Sequence, residues 1–370
     1  MDFALSAEQE ALQDLARRIL EDHVTHERLR ALEAEPNGFD RGVWAELARA
    51  KLLGAALPEE VGGSGLGLLE LCLLLAEVGR AVAPVPAWPT LGLGALPIAE
   101  FGTRAQRSAW LPGVAAGDVI LSAALVEPGA DDPTTPATIA RREGAGWRLD
   151  GVKTCVPAAH LAARILVPAS TPGDGVAVFL LDPREPGVVL ERQMATNREP
   201  LGQLRLTGAR GELLGDHPAP GAAAVAWLVE RATVGLCAMQ LGVTERALRM
   251  TAEYTTHREQ FGRPIASFQA VHQRAADAYM DVEAIRLTLW QAAWRLATGR
   301  PAATEVAVAK FWASEAAHRV VYAAQHLHGG IGVDVDYPLH RYYLWAKHLE
   351  LTLGSGTRQL ARLGAELAGQ

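Results

Sequence analysis

Residues 254–271 read Tyr-Thr-Thr-His-Arg-Glu-Gln-Phe-Gly-Arg-Pro-Ile-Ala-Ser-Phe-Gln-Ala-Val and join two amphipathic patterns in the second half of a 370-residue chain. Apolar residues recur at helical spacing on both sides of this stretch, which predicts two long helices. Gly262 permits a tight backbone turn between them, and Pro264 cannot continue a helix. Arg258 and Phe261 lie at the end of the first helix, so a cation and an aromatic ring project from the corner.

The spacing of this corner leaves two interpretations open. A guanidinium beside an aromatic ring suits a phosphate-bearing ligand with a flat ring. The same residues also fit a plain helix hairpin whose arginine is solvated. Other features of the sequence are needed to distinguish a ligand-binding corner from a purely structural one.

Two signatures in the chain resemble those of a known family. The run 258–265, with Phe268-Gln269, resembles the R-x-x-F-G signature of acyl-CoA dehydrogenases. Residues 326–332, followed by Asp336-Tyr-Pro-Leu, resemble the second signature of that family, Q-x-x-G-G-x-G with a downstream Y-P. Both stand at the separation that the family has, and the resemblance extends along essentially the whole chain. It favours the binding interpretation of the corner.

Composition narrows the class of protein. A net charge of −7 argues against a nucleic-acid partner, because no basic surplus is present to neutralise phosphates. Three isolated cysteines indicate a reducing, cytoplasmic location, and no histidine pair has the ligand spacing of a metal site. The most apolar stretch, residues 66–78, is short and interrupted by glutamates. We therefore expect no secretion leader and no membrane span.

Pattern changes along the chain predict an α+β fold with three domains, 1–118, 119–215 and 222–370. Helical periods dominate the first range, where Ser6 and Gln9 predict a capping box at the first helix. Short alternating runs between turn residues predict antiparallel strands in the second range, and helical periods return in the third. The resemblance implies the acyl-CoA dehydrogenase fold, with an N-terminal all-α domain, a small antiparallel β domain and a C-terminal four-helix bundle.

The resemblance also implies a reaction and a cofactor. Acyl-CoA dehydrogenases remove a proton from the carbon α to a thioester, using a carboxylate base, while a hydride passes from the β carbon to FAD. The implied partners are an acyl-CoA substrate and an electron-transferring flavoprotein as the usual electron acceptor.

In this family FAD lies between two subunits, and each subunit supplies one half of the site. The half given to the neighbour's FAD is well kept here, beginning with Arg258 for the pyrophosphate, since arginine offers phosphate a planar fork of donors. The other residues that match this half are Gln260, Phe261, Ile265, Phe268, His326, Leu327, Gly329 and Gly330. Near the C-terminus, Thr357 and Gln359 match the family's E-G-T-S-Q segment.

The half that cradles a subunit's own flavin ring is poorly kept. Val126 stands where the family has a hydroxyl residue, in a segment that resembles T-E-P-G-A-G-S-D. Cys155 replaces a tryptophan, and Pro157 replaces a threonine. Backbone contacts can survive these changes, but the side-chain hydrogen bonds cannot, because valine has no hydroxyl and proline has no N–H.

The catalytic base is also out of its usual place, because Ser355 occupies the position of the family's glutamate. Some members carry the base on the helix before R-x-x-F-G, and Glu230 lies close to that place. Ungapped counting from Tyr254 lands on Ala232 instead, and two residues correspond to about 200° of helical rotation. Glu230 therefore serves only if the helix entry is shifted or bulged. Otherwise it is a carboxylate favoured by the helix dipole.

Together these features predict one subunit of a heteromeric FAD-dependent acyl-CoA dehydrogenase, a heterotetramer that shares its flavin site with a related chain. The pattern resembles the paired dehydrogenases of actinobacterial steroid and sterol side-chain breakdown. Two alternatives remain: a self-sufficient homotetramer that uses Glu230 as base, and a non-catalytic structural subunit without flavin. The sequence leaves the acyl group and the electron acceptor open.

Overall fold

The computed structural model of the chain describes residues 4–35, 38–130, 132–144, 146–216 and 221–368. Its helices are α1 (Ala7–His23), α2 (His26–Glu33), α3 (Arg41–Arg49), α4 (Leu68–Arg80), α5 (Leu96–Phe101), α6 (Arg104–Ala115), α7 (Gly221–His257), α8 (Gln269–Ala297), α9 (Ala303–His328), α10 (Leu339–Leu351) and α11 (Gly356–Ala368). Its strands are β1 (Leu121–Ala123), β2 (Ile139–Glu143), β3 (Gly146–Pro157), β4 (Arg164–Thr171), β5 (Gly175–Leu181), β6 (Val188–Met194), β7 (Pro200–Leu213), β8 (Glu259–Gln260) and β9 (Arg263–Pro264). Helical parts thus precede and follow a central β region, as the sequence predicts.

By its internal contacts the chain divides into two compact units. The first contains Met1–Arg30, Cys72–Ala83 and Thr233–Gln370, and the second contains Ala31–Leu71 and Pro84–Ala232. Strands β1 to β7 all fall within the predicted range 119–215. The division into three domains at residues 118 and 215 stays a prediction.

The second unit is built on a seven-stranded sheet. Strands β4, β2, β3, β7 and β5 follow one another, and β5 also pairs with β4, so these five strands close into a ring. Most pairings are antiparallel, but β4 runs parallel to both β1 and β2. Alternating patterns report which face a residue occupies and carry no information on the direction of the neighbouring strand. The sequence therefore predicted the strands but not the parallel pairings.

Strands β4 and β5 supply much of the core of this unit. Phe179 and Leu181 of β5 and Ile165 of β4 belong to one buried cluster. The intervening Leu166 and Leu180 are buried as well, so both faces of these two strands are covered.

Two glycines allow close helix packing in the first unit, where α4 meets α7. A Cβ atom on Gly79 would overlap the carbonyl of Met239, and one on Gly242 would overlap the carbonyl of Ala76. Only hydrogen at these positions lets the two backbones approach so closely. Helix α9 packs against α8, α10 and α11 in the same unit.

Two local predictions can be compared with the structure. The capping box of α1 is confirmed, because the Ser6 hydroxyl accepts from the Gln9 N–H and the Gln9 side chain accepts from the Ser6 N–H. In the described part of the chain, α7 alone is long and apolar enough to span a membrane. However, 61% of its most apolar window is buried inside the protein, as is typical of a core helix.

Candidate functional site

The corner after α7 is a two-residue β-hairpin. Strand β8 (Glu259–Gln260) pairs with β9 (Arg263–Pro264), and the turn consists of Phe261 at φ 55° and Gly262 at φ 75°. Two successive positive φ angles are typical of the tight turns that match the twist of hairpin strands. The sequence predicted the role of Gly262 but not that Phe261 shares the left-handed conformation.

Phe261 is presented to solvent by this turn. Its exposed fraction is 91%, and its ring meets the edge of Phe268 with centroids 6.1 Å apart. The guanidinium of Arg263 lies over the ring of Phe268, 4.2 Å from its centroid. A phenylalanine with a left-handed backbone and an exposed side chain does not stabilise the fold, so the hairpin has the features of a binding surface.

Arg258 stands at the base of the hairpin with an exposed side chain. Its N–H donates to the Tyr254 carbonyl, and its carbonyl accepts from the Ile265 N–H, each at 2.8 Å. Its guanidinium has no hydrogen bond or ion pair to any residue that the structure describes. The backbone is thus fixed while the cationic group is available for a ligand.

The second signature forms the end of α9 and the loop after it. Gly329 has φ 66° and ψ −142°, a conformation that is restricted to glycine. A Cβ atom at Gly329 or at Gly330 would meet nothing within 4 Å, so a ligand can approach the backbone closely. His326 is exposed and Leu327 is half-buried beside them.

An aromatic stack joins the two signatures. The ring of His328 lies on the ring of Tyr254, with centroids 4.4 Å apart and an interplanar angle of 18°. Tyr337, from the Y-P segment, packs against both rings at 5.3 and 6.4 Å. Tyr254 is one helical turn before Arg258, and His328 directly precedes Gly329, so the stack fixes the two motifs relative to each other.

The surroundings of His328 favour a neutral ring. Nδ1 lies 2.8 Å from the Ala324 carbonyl and donates to it, and in the neutral ring Nε2 accepts from the Tyr337 hydroxyl at 3.2 Å. Burial lowers the pKa of His328, which favours the same neutral form.

The C-terminal segment is held from two sides. The buried Gln359 amide donates to the carbonyls of Leu353 and Gly354 at 3.1 and 3.3 Å. On the other side, the Nζ of Lys310 donates to the Leu349 carbonyl at 2.6 Å, and burial lowers the pKa of this lysine to about 8. Thr357 is exposed and Ser355 is half-buried in the segment between these anchors.

Glu230 lies in an unbroken part of α7. The helix runs from Gly221 to His257 without a bulge, so Glu230 and Ala232 project from different sides of it. Ala232 is buried, and its carbonyl accepts from the Trp88 indole N–H at 2.9 Å. Helix α7, which the structure describes throughout, has no bulge that would bring Glu230 into the place of Ala232. The role of Glu230 as base therefore depends on a shifted helix entry and stays a prediction.

The loops that resemble the family's flavin-ring cradle are tied by a buried ion pair. Lys153 Nζ lies 2.6 Å from Glu127 Oε1, and the two side chains are only 1% and 4% exposed. The N–H groups of Ala137 and Thr138 donate to the same carboxylate at 2.6 and 3.0 Å. Burial opposes ionisation of Glu127, but the hydrogen bonds from Lys153 and Thr138 outweigh it and lower the pKa of the carboxyl. The loop backbone is therefore fixed whatever side chains face a ligand.

Two backbone donors of this cradle are already used within the chain. Thr154 N–H donates to the Val126 carbonyl at 2.9 Å, and Cys155 N–H donates to the side chain of Gln193 at 3.0 Å. Pro157 has no N–H to offer. These two N–H groups are thus occupied within the chain, and Val126 and Pro157 offer no side-chain donor to a flavin ring.

Comparison with protein families decides the identity. The model of the acyl-CoA dehydrogenase N-terminal domain matches residues 6–118, and that of the C-terminal domain matches residues 220–368. The chain belongs to the acyl-CoA dehydrogenase family. Members of this family are flavin-dependent oxidoreductases, and FAD is their cofactor.

Individual relatives share the whole length of this acyl-CoA dehydrogenase. Acyl-CoA dehydrogenase FadE27 of Mycobacterium tuberculosis is 42% identical, over 100% of this chain and 99% of the relative. The crystal structure of the ChsE4–ChsE5 complex from Mycobacterium tuberculosis matches with TM-score 0.94, 42% identity and complete coverage of both chains. A variant of the Tcur3481–Tcur3483 steroid ACAD matches with TM-score 0.92 and 49% identity, over 98% of this chain and 99% of the other.

Several residues that shape the site went unnoticed in the sequence. Lys310 and Lys153 were detectable, since a lysine among apolar residues needs a buried partner. Glu127 was matched only as part of the segment that resembles T-E-P-G-A-G-S-D, without a structural role of its own. The stacking role of His328 had no local signal, because its partners Tyr254 and Tyr337 are distant in sequence.

We expect His328→Phe to keep the ring stack but to lose the Tyr337 hydrogen bond, lowering the free energy of unfolding by about 1–2 kcal/mol at pH 8. In the wild type the folded pKa of His328 lies below its ordinary value of 6.5. The unfolded chain therefore takes up the proton first, and stability falls as the pH drops below 6.5 toward the folded pKa. His328→Phe should lack this part of the decline in urea titrations between pH 8 and pH 5.5.

Tyr337→Phe is the matched variant, because it keeps both rings and removes only the hydroxyl. It should cost about 1 kcal/mol at pH 8 and retain the acid-side decline. An identical pH dependence in wild type and His328→Phe would contradict the neutral-histidine account.

Proposed function

We propose that this chain is one subunit of a heteromeric FAD-dependent acyl-CoA dehydrogenase and that it shares each flavin site with a related chain. One contrast carries the proposal. Arg258 and the open loop at Gly329 offer a cation and free backbone to a ligand, whereas Val126 and Pro157 have no side-chain donor for a flavin ring, and the Cys155 N–H is already bonded within the chain. Half of a flavin site is present, and half is missing.

Within the shared site, Arg258 binds the pyrophosphate of the FAD held mainly by the partner. The side chains beside it are Gln260, Phe261, Ile265 and Phe268. The adenosine end meets His326, Leu327, Gly329 and Gly330, and Thr357 and Gln359 complete the contacts. FAD, when bound, accepts the hydride. The residues of this chain position the cofactor and exclude water from it.

The partner supplies the catalytic base and the flavin-ring contacts. Ser355 stands in the usual base position, and a serine hydroxyl takes up no proton without its own activating group. Val126 likewise provides no hydrogen bond to the ring. A related chain with a glutamate and a hydroxyl at these positions would restore both functions.

The names of two related structures support a heteromeric assembly. ChsE4–ChsE5 is described as a complex, and Tcur3481–Tcur3483, which is also named as a pair, is described as a steroid ACAD. We propose an acyl-CoA thioester with a bulky steroid-derived acyl group as substrate. An electron-transferring flavoprotein is the proposed acceptor, the assembly is a heterotetramer, and the location is the cytoplasm.

Arg258→Ala in the assembly with its partner should weaken FAD binding by about 10- to 100-fold, because a charge-assisted bond to phosphate contributes about 1.5–3 kcal/mol. Arg258→Lys should be intermediate, since lysine offers a point charge without the planar fork. FAD content after dialysis and titration of the apoprotein measure the effect.

Arg184→Ala is the matched control, since Arg184 is an exposed arginine of the second unit that is paired with Asp182. It should retain wild-type FAD. Equal FAD retention in Arg258→Ala assemblies would instead favour a structural subunit without a flavin role.

The variant Glu230→Gln distinguishes the shared site from a self-sufficient homotetramer that uses Glu230 as base. In the shared-site account, Glu230→Gln leaves turnover of the assembly within about twofold of wild type. In the self-sufficient account it abolishes turnover while FAD stays bound. Glu100→Gln is the control, because Glu100 also faces the charge of Arg231.

A further inference from the structure

A cavity of about 560 Å³ lies inside the first unit, and none of the residues proposed for FAD lines it. Its walls come from α1, α2, α4, α7 and α10. Five arginines line it, and they are Arg17, Arg80, Arg246, Arg249 and Arg341. Glu21 and Glu77 are the two carboxylates in the described lining. Since the whole chain has a net charge of −7, this cationic lining is a local feature and not a general property of the surface.

The carboxylates at the cavity form hydrogen bonds with Arg17 but not with Arg80. Glu77 is 3% exposed and already accepts from Arg17 Nη2 at 2.8 Å and from Gln13 at 2.9 Å. Arg80 reaches Glu77 only at 3.6 Å and Glu21 only at 3.8 Å, which are ion-pair distances without hydrogen bonds. Arg80 therefore lies beside carboxylates without a hydrogen bond to either of these two.

Arg246 and Arg249, on α7, share a single carboxylate. Arg249 lies 3.1 Å from Glu253, and Arg246 lies 3.8 Å from it. The Tyr342 hydroxyl, which also lines the cavity, donates to the Arg80 carbonyl at 3.0 Å. One carboxylate thus serves two guanidiniums, and Arg246 has the weaker share.

Two buried nitrogens in the wall have no acceptor. Arg80 Nε is buried without a hydrogen-bond partner among the described residues, and so is His26 Nε2. Arg341 donates to His26 Nδ1 at 2.8 Å, so Nδ1 carries no proton and Nε2 must carry it. Both orphaned atoms are therefore donors. A buried donor without an acceptor is costly, and added negative charge would relieve that cost.

We propose that this cavity binds a small, multiply charged oxyanion of the phosphate class. Arginine guanidiniums offer phosphate oxygens paired, planar donors, which suits this anion better than a single carboxylate. The volume is in the range of small-ligand sites. The floor is enclosed, with Arg80 14% exposed and Tyr342 7% exposed, so it suits a small anion better than the surface of an acidic protein.

Inorganic pyrophosphate is the probe, and citrate is the carboxylate comparison, each titrated into the full chain by calorimetry at matched ionic strength. We expect saturable, one-site binding that is tighter for pyrophosphate. The double variant Arg246→Gln/Arg249→Gln should weaken it by at least about tenfold, since each lost charged bond is substantial. These two arginines are partly exposed, so the variant keeps the buried floor.

Two controls separate this site from other sources of binding. Arg49→Gln removes an exposed helical arginine that is paired with Glu46, outside the cavity, and should bind like wild type. Arg258→Ala should also bind like wild type, which distinguishes the cavity from the FAD half-site. Absent binding, equal affinity in the double variant, loss of binding in Arg258→Ala or a preference for citrate would each overturn the proposal.

Discussion

The stack of Tyr254 on His328 is the contact on which the binding surface of the C-terminal helices depends. It joins the last turn of α7 to the last turn of α9, with centroids 4.4 Å apart. Arg258 lies one helical turn after Tyr254, and Gly329 directly follows His328, so the cation and the glycine loop keep a fixed separation. The neutral ring of His328 also accepts from Tyr337, which adds the Y-P segment to the same cluster. Three segments that are distant in sequence thereby form one surface.

A second constraint holds the loops that resemble the family's flavin-ring cradle. The buried pair of Glu127 and Lys153 fixes their backbone. Removing one member of such a pair costs about 3–5 kcal/mol, so the pair contributes strongly to the stability of the β region. Val126 and Cys155 are bound mainly through their backbones, and the Cys155 thiol lies 3.8 Å from the Thr154 hydroxyl. Side chains that face a ligand can therefore change while the scaffold remains.

The sequence predicted those features that local pattern controls and missed those that depend on distant partners. The capping box at Ser6 and the order of helical and β parts follow from spacing, and both are confirmed. The left-handed conformation of Phe261 was missed, because glycine alone was expected to adopt it. Gln359 was matched to a cofactor contact, and the structure adds that its amide fixes the loop before α11. The pairing of Lys310 with the end of α10 required the three-dimensional fold.

The flavin-to-chain ratio tests the shared-site account most directly. It is measured from the visible spectrum of this chain purified alone and again after coexpression with a related acyl-CoA dehydrogenase chain. The account predicts colourless protein alone and yellow protein with a partner, at about one flavin for every two chains of a symmetric assembly. One tightly bound flavin per chain in the protein purified alone would contradict it.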